Sequence, residues 1–444
     1  MIQSEKIKKL AKHPFTKDVA MLQVSGVTNS AIAFLASLLF ARLLGPEEFG
    51  FYTLVFALAG FITIFQDTGI GQGTINLLAK SYTNNDKDES RNILASFVRI
   101  SLLVAVTTGI LGIVLAPFIG KFFYNDLNLG KLAGVVVTSS VLLLFYPLAN
   151  IVLQVVRKIR GLVVIEITNK ILMSGLPILL ILFGLGVSGI VWGQFTAVIL
   201  MSLVGYLVYH KLSKTDQSLP AINNFFWKAP TREKLGKFFR FGFSIAINKN
   251  ILKLVASVPF LMLGFFLATN SGLAFYKVAL AYMSLPIVFL GPVSRLLNIQ
   301  FPKTGVHGEE KMLRRFFQVS GLSVLVVTTI TFGLLLVGPY LIDLFYGLQY
   351  APSKTMIYPL ALYPIFIGAG VGLGPLFRTL NKIKVAIYIN IASLLLMIPT
   401  AYWLIGNYAI KGMITTVLIF GLFPNVLSMI YFSFYYKKIK NARS

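Results

Sequence analysis

Long apolar runs recur along the whole chain and are separated by short polar segments. A helix of about 20 apolar residues is long enough to cross the hydrocarbon core of a bilayer. Twelve such runs can be placed, at residues 17–43, 49–79, 91–120, 131–156, 159–183, 188–210, 238–267, 272–302, 312–345, 353–377, 383–405 and 410–436. The pattern predicts an all-α integral membrane protein with twelve transmembrane helices.

The composition supports this class of protein. Of the 444 residues, 56% are hydrophobic and only 12% are charged, which is too apolar for a soluble domain. The chain contains no cysteine, so disulfides, thiolate metal sites and a cysteine nucleophile are excluded. We therefore expect a multi-pass protein of the cell (inner or plasma) membrane, surrounded by membrane lipids.

The net charge of +25 would by itself suggest a nucleic-acid partner. The distribution of the basic residues indicates another origin. Apart from six basic residues deep in the predicted spans, 29 Lys and Arg residues lie in or next to the N-terminus, alternate loops and C-terminus, and 5 lie in or next to the loops of the opposite side. Because basic residues concentrate in cytoplasmic loops, this asymmetry predicts that both termini are cytoplasmic. No nucleic-acid partner is expected.

The chain contains an internal repeat. Residues 267–282 align with residues 43–58 at an offset of 224, and Pro339 corresponds to Pro117 at an offset of 222. Many transporters are built from two such repeats, with the substrate bound between them. We predict two six-helix lobes related by a repeat of about 220 residues. They are an N-terminal lobe at 1–210, a cytoplasmic linker at 211–237 and a C-terminal lobe at 238–444.

Two acidic residues fall clearly inside predicted spans, Asp67 and Glu166. Asp67 and its neighbour Gln66 follow about eighteen almost wholly apolar residues. A carboxylate inside a bilayer is costly, and such residues commonly mark ion or substrate pathways. We therefore expect Asp67, Glu166 and Gln66 to act in coupling or gating. Glu166 could instead pair with Lys170, which lies one helical turn later.

Six basic residues fall inside predicted spans: Arg99, Lys170, Lys249, Lys253, Lys277 and Arg295. Lys249 and Lys253 lie one turn apart on the same helix face, roughly 16 Å and 22 Å into the span. Two like charges on one face repel each other, so this face requires water or an anion. Some of the other cations, among them Lys277 and Arg295, lie nearer helix ends, where a long side chain can reach the headgroups.

The predicted substrate-binding residues are Lys249, Lys253, Asn248, Asn250, Lys277, Arg295 and Lys170. No catalytic residue and no metal site are predicted, because the three histidines (His13, His210 and His307) are scattered over polar segments.

One stretch resembles a known family. ARLLGPEEFGFYTLVFALAGF, followed by DTGIGQGTINLLAK, is similar to Wzx-type oligosaccharide flippases. These form the polysaccharide-transport family of the multidrug/oligosaccharidyl-lipid/polysaccharide exporter (MOP) superfamily. The family's R-x-L-G-P-x-x-[FY]-G-x-Y core and its D-x-G motif map onto Arg42, Leu44, Gly45, Pro46, Phe49, Gly50, Tyr52, Asp67 and Gly69. The chain departs after Gly69, where relatives often carry arginine and this chain has Gln72, Thr74 and Asn76.

The resemblance implies a flippase rather than an enzyme. Its substrate would be an oligosaccharide linked to a polyprenyl (undecaprenyl or dolichyl) pyrophosphate. The protein would move it from the cytoplasmic to the outer leaflet by alternating access through a cationic central cavity. No cofactor is expected, although proton or sodium coupling is compatible with the intramembrane acids. Polysaccharide-assembly proteins are candidate partners.

Two other functions remain open. A cation-coupled multidrug or metabolite antiporter of the same superfamily would also use an intramembrane carboxylate. A membrane glycosyltransferase or polymerase is disfavoured, because the predicted outer loops are too short to carry a sugar site.

Overall fold

The computed structural model describes residues 14–216, 218–222, 232–305 and 308–441. Within these ranges the backbone is almost entirely helical and contains no β-strand. The basic N-terminus with His13, the middle of the predicted linker at 223–231, His307 and the last three residues lie outside the described residues.

The described residues of the first half form eight helices. The first two belong to one long element, Pro14–Thr63, which is interrupted at Gly45. The helices are α1 (14–44), α2 (46–63), α3 (Ile70–Thr83), α4 (Lys87–Tyr124), α5 (Leu127–Leu142), α6 (Phe145–Val155), α7 (Ile159–Leu182) and α8 (Gly186–Thr215).

Between residues 232 and 441 the described chain forms nine helices, because one apolar span is divided into three short helices. The last element, Ile383–Asn441, is interrupted at Ala409. The helices are α9 (Arg232–Phe266), α10 (Ser271–Met283), α11 (Leu290–Gly305), α12 (Glu309–Tyr346), α13 (Ser353–Leu360), α14 (Leu362–Ala369), α15 (Leu373–Thr379), α16 (383–408) and α17 (410–441).

The described residues contain the predicted number of spans. Nine helical stretches are long and apolar enough to cross a membrane, and α5 with α6 forms a further span bent by 43°. Two of the nine stretches each contain two spans, separated at Gly45 and at Ala409. Apolar side chains cover the outside of these helices. In α4, for example, Leu103, Ile110 and Val114 are 68%, 59% and 62% exposed, as expected for a surface in contact with lipid.

The breaks in the helices confirm the internal repeat. The second span of each half is interrupted by a 3₁₀ turn, at Ile64–Gln66 in the first half and at Leu285–Phe289 in the second. The fourth span of each half is also divided, just before Phe145 and just before Leu362. We predicted residues 49–79 and 272–302 each as one span, because hydropathy alone does not detect a 3₁₀ turn.

The described chain separates into two compact units. The first contains residues up to Leu43 and from Leu58 to Ile247, and the second contains Leu44–Ala57 and Asn248–Ser444. Residues 44–57 lie in the first half of the sequence but belong to the second unit. The lobe boundaries predicted from the sequence assign residues 44–57 to the N-terminal lobe. These boundaries stay a prediction.

The beginning of the predicted linker packs onto the first unit. Leu219 and Ile222 are buried in its core, and the Tyr209 hydroxyl donates a hydrogen bond to the carbonyl oxygen of Pro220 at 2.7 Å. Burial raises the pKa of the Asp216 carboxyl. The hydrogen bonds from Tyr82 and Ser218 and the nearby charge of Lys158 outweigh burial and bring this pKa below its ordinary value.

Candidate functional site

Asp67 lies at the break between α2 and α3. The 3₁₀ turn ends at Gln66, and Gly69 adopts a left-handed conformation (φ 70°) immediately before α3 begins. Glycine reaches this conformation without a steric penalty, so the D-x-G motif places the carboxylate in an irregular segment. Asp67 lines an open cavity of about 330 Å³ within the first unit, together with Ser101 of α4 and Ser140 of α5.

The structure gives Gln66 a bridging position. Its side-chain amide donates hydrogen bonds to the hydroxyl groups of Thr108 in α4 (2.7 Å) and Ser140 in α5 (2.6 Å). These bonds hold the broken end of α2 between two neighbouring helices. Gln66 is therefore placed to couple any rearrangement at Asp67 to α4 and α5, and its role in coupling or gating stays a prediction.

Glu166 is half-buried in α7 and is connected to α1. The hydroxyl of Ser25, which is fully buried, donates a hydrogen bond to a Glu166 carboxylate oxygen at 2.9 Å. Lys170 lies one turn later in α7 and is also half-buried. Among the described residues Glu166 makes no ion pair with Lys170, so the alternative of a simple local pair is not what the structure shows.

The second half contains a bond at the repeat-equivalent position. The Asn390 amide of α16 donates a hydrogen bond to Asn248 Oδ1 of α9 at 2.7 Å. Residues 248 and 390 follow 25 and 166 by 223 and 224 positions, which is the offset of the repeat. The first and fifth spans of each half are thus joined at the same point. An acid occupies this point in the first half, and an amide occupies it in the second.

Several side-chain oxygens surround Glu166. The Tyr146 hydroxyl is hydrogen-bonded to the side chains of Asn150 and Asn169 and interacts electrostatically with Glu166. Among the described residues, no donor bonds the buried Oδ1 atoms of Asn29, Asn150 and Asn169. A buried polar atom without a partner costs free energy unless water, an ion or a ligand satisfies it. We call Glu166, Asn29, Asn150 and Asn169 the acceptor cluster.

The structure brings three of the predicted cations to one face of α9. Because α9 is helical throughout, Lys249 and Lys253 lie about 40° apart around its axis. Viewed along that axis, Phe260 projects between the two lysines. The Lys277 ammonium of α10 lies over the Phe260 ring, 5.7 Å from its centroid. Lys249 and Lys277 are exposed and Lys253 is half-buried. We call these three residues the cationic face.

The asparagines beside the lysines differ in surroundings. Asn248 points toward α16, where it accepts the bond from Asn390. Asn250 lies about 100° around α9 from Lys249 and is half-buried. Asn248 therefore positions α9 against α16, and a substrate contact for either asparagine stays a prediction.

Arg295 and Lys170 do not join the cationic face in the structure. Arg295 is exposed on α11. Lys170 belongs to α7 in the first unit, near the acceptor cluster. Their predicted substrate contacts are not tested by this geometry.

The Leu-Gly-Pro motif has a structural role that the sequence alone did not reveal. Gly45 breaks the helix with φ 73°, and Glu47 then caps α10. One Glu47 oxygen accepts from the backbone N–H of Asn270 (2.8 Å) and the other from that of Ser271 (2.9 Å). An acid at a helix N-terminus satisfies free N–H groups and interacts favourably with the helix dipole. The only signal in the sequence was the repeat itself, since 43–58 aligns with the segment that Glu47 caps.

The fold is that of the MOP superfamily of transporters. An inward-facing multidrug resistance MATE family transporter of this superfamily matches with a TM-score of 0.76 and 18% identity, covering 94% of this chain and 96% of that chain. A MOP superfamily transporter from Pyrococcus furiosus, described by the reverse polarity of its binding pocket, matches with a TM-score of 0.64 and 18% identity over 96% of both chains. These likenesses show that the chain has the fold of these solved structures, with its twelve-helix, two-lobe architecture.

The sequence profile of the family described as "Polysaccharide biosynthesis protein" matches residues 39–355. The chain belongs to this family, and the predicted resemblance to Wzx-type flippases of the MOP superfamily is confirmed. No curated protein matches the chain. The protein is a multi-pass membrane transporter of polysaccharide biosynthesis.

Proposed function

We propose that the protein moves a polyprenyl-pyrophosphate-linked oligosaccharide from the cytoplasmic to the outer leaflet. The observation that carries the proposal is the cationic face, where Lys249, Lys253 and Lys277 share one side of α9. A lysine exposed to hydrocarbon costs several kcal/mol, on the order of 3 kcal/mol at the centre of a helix. A hydrated anionic ligand placed against this face would offset part of this cost.

Lysine suits a ligand that must leave again. Its ammonium is a compact charge with three rotatable donors, whereas arginine forms a fixed two-pronged contact with phosphate. Alternating access requires binding that is strong enough to capture the pyrophosphate and weak enough to release it. The lysine side chains of the cationic face meet both requirements. Rearrangement of the helices would then expose this face to each side of the membrane in turn.

The two halves carry different charges at equivalent positions. With Asn248 equivalent to Ser25, Lys249 and Lys253 correspond to Gly26 and Ser30, so the cationic face belongs to the second half alone. The acid at position 166 belongs to the first half alone. We infer a division of labour in which the second half binds the anionic substrate and the first half binds a coupling cation.

The acceptor cluster supports a proton or sodium ion as that coupling cation. The carboxylate of Glu166 supplies negative charge, and the amide oxygens of Asn29, Asn150 and Asn169 supply neutral acceptors. Hard cations prefer oxygen ligands of this kind. Asp67 is the alternative coupling residue, since it lines a cavity at a helix break.

Replacing Glu166 with glutamine is expected to remove the dependence of transport on the cation gradient. Glutamine keeps an oxygen that accepts from Ser25, so the fold is retained while the titratable charge is lost. The measurement is the flipping rate in proteoliposomes under imposed pH and sodium gradients, where we expect a drop of about tenfold or more in the gradient-driven rate. Ser25→Ala is the control: it removes the hydrogen bond, keeps the carboxylate and should retain the gradient dependence. Unchanged pH and sodium dependence in Glu166→Gln would exclude Glu166 from coupling.

We propose that both termini are cytoplasmic. Exposed residues at the ends of described helices allow a direct test, because the chain has no native cysteine. Single cysteines at Asn128 and Asn407 should react with an impermeant thiol reagent added to intact cells, and one at Asn84 should react only after the membrane is opened. Labelling of Asn84→Cys in sealed cells would reverse the orientation.

The proposed substrate is tested with the purified full chain in proteoliposomes. A short-chain polyprenyl-pyrophosphate disaccharide with a fluorescent label is followed by quenching in the accessible leaflet. The protein should accelerate its flipping and should leave the matching polyprenyl alcohol glycoside, which has no phosphate, at the protein-free rate. Equal acceleration of both lipids would refute anion recognition. Transport of cationic drugs instead of the lipid would favour the antiporter.

A further inference from the structure

The first unit contains a second cavity, and this one has a basic lining. It has a volume of about 510 Å³ and lies between the beginning of α1 and the connection from α6 to α7. Its lining combines three basic residues with an apolar floor, and one acid lies at its edge: Arg157, Lys158, Arg160, Asp18, Met21, Leu153, Ile159 and Gly161. This volume falls in the usual range for ligand cavities.

The basic side chains remain available to a ligand. Arg157 contacts Asp18 at 4.0 Å, the outer limit of an ion pair, and the Arg157 side chain stays 69% exposed. Lys158 lies near Asp216, whose carboxylate is already bonded by Tyr82 and Ser218. Arg160 is exposed. An exposed pair of this length contributes little, so the cavity keeps a positive balance of charge.

The backbone at Arg157 shows that arginine is placed here against its conformational preference. Arg157 has φ 56°, in the left-handed region, where asparagine is favoured among residues with a side chain. Three of the other four described non-glycine residues with positive φ are asparagines. The equivalent loop of the second half, between α15 and α16, has Asn381 with φ 55° at this position. A charged residue therefore replaces the better-suited amide only beside the cavity.

The apolar floor defines the rest of the ligand. Leu153 and Ile159 are buried hydrophobic residues at the ends of α6 and α7, directly beside the three cations. A water-soluble anion has no use for such a floor, whereas a lipid presents a phosphate next to a hydrocarbon chain. Basic pockets at the cytoplasmic ends of membrane helices bind anionic lipid headgroups in this way.

We infer that this cavity binds the phosphate headgroup of an anionic lipid in the cytoplasmic leaflet. The ligand class is a lipid phosphate, available either as a phospholipid or as a phosphorylated polyprenyl carrier. The site is separate from the cationic face, and its ligand need not be transported. The inference depends on the proposed orientation and not on the proposed substrate.

The test compares two double variants that each lose two positive charges from repeat-equivalent loops. Arg157→Asn with Arg160→Gln alters the cavity. Lys382→Gln with Lys384→Gln alters the matching loop of the second half, where the Lys382 ammonium lies over the Tyr435 ring. Asparagine suits the backbone at position 157, so the first variant should fold as well as the wild type. Melting temperature in neutral detergent checks this.

Binding is measured by native mass spectrometry and by the lipid-induced rise in melting temperature. The probes are phosphatidylglycerol, phosphatidylcholine and a polyprenyl monophosphate, each titrated separately. We expect the cavity variant to bind phosphatidylglycerol at least about tenfold more weakly, and the control variant to bind it as the wild type does. Loss confined to the polyprenyl phosphate would support the same cavity with the carrier lipid as its ligand.

Two results would overturn the inference. Equal weakening in both variants would mean that binding reflects the general basic character of this side. Wild-type binding of all anionic probes by the cavity variant would exclude the site. Neither result would bear on flipping, which the proteoliposome assay measures independently.

Discussion

Lys249→Glu is expected to abolish flipping of the lipid-linked oligosaccharide while leaving the protein folded. The substitution places a carboxylate on the cationic face, where it repels the pyrophosphate and attracts Lys253 and Lys277. Lys249→Gln removes the charge alone and should weaken binding by roughly 1–3 kcal/mol, about 5- to 150-fold, the scale of one charge-assisted hydrogen bond. Lys249→Arg should retain more activity than glutamine, since it keeps the charge but not the geometry.

The control for this series is Lys384→Glu, which makes the same charge change in the first turn of α16, away from the cationic face in sequence. It should fold and flip like the wild type. Flipping rates in proteoliposomes and melting temperatures separate transport from stability. Normal flipping by a well-folded Lys249→Glu variant would refute the cationic face as the binding surface for the pyrophosphate.

Gly50→Ala is expected to prevent stable folding, although it adds only one methyl group. A Cβ atom at Gly50 would overlap the backbone carbonyl group of Asn270, just before α10 begins. Backbone cannot move aside as a flexible side chain can. The clash therefore shifts the segment that Glu47 caps, next to the buried Phe49. We expect a loss of more than about 3 kcal/mol, since overpacking against backbone combines with loss of the cap.

Gly60→Ala in the same helix is the matched control. A Cβ at Gly60 meets nothing within 4 Å. Because alanine favours a helix more than glycine does, this variant should be as stable as the wild type or more stable by up to about 1 kcal/mol. The measurements are the yield of monodisperse protein and the melting temperature, compared between Gly50→Ala, Gly60→Ala and the wild type. A Gly50→Ala variant that melts with the wild type would show that α2 and Asn270 do not approach so closely.

The two halves illustrate how a duplicated unit can specialise. Both retain a bond between their first and fifth spans, Ser25 with Glu166 and Asn248 with Asn390. The shared bond fixes the packing of each half. The charges beside it have diverged, and on our proposal this divergence assigns the cation to one half and the anion to the other.

The sequence by itself determined the class of protein and its repeated plan. Hydropathy located twelve spans because the bilayer imposes a minimum apolar length on each helix. The Gly-Pro motif fell between the predicted spans 17–43 and 49–79, because proline disfavours continuation of the preceding helix. The break at Asp-x-Gly was not predicted. The offset of about 224 residues between the two halves was also evident from aligning the sequence with itself. The family resemblance rested on the short stretch 40–80, which contains both motifs, and it required no knowledge of tertiary contacts.

Only the tertiary structure decided what those residues touch. The sequence favoured equally a Glu166–Lys170 pair and a functional Glu166, and the structure joins Glu166 to Ser25, 141 residues away. Residues 44–57 pack with the second unit and Glu47 caps α10, which local propensity cannot reveal because partners 223 residues apart meet only in the folded chain. Lys277 reaches the face of α9 through Phe260 for the same reason. Local chemistry sets where helices form and break, whereas the pairing of distant polar groups depends on how the helices pack.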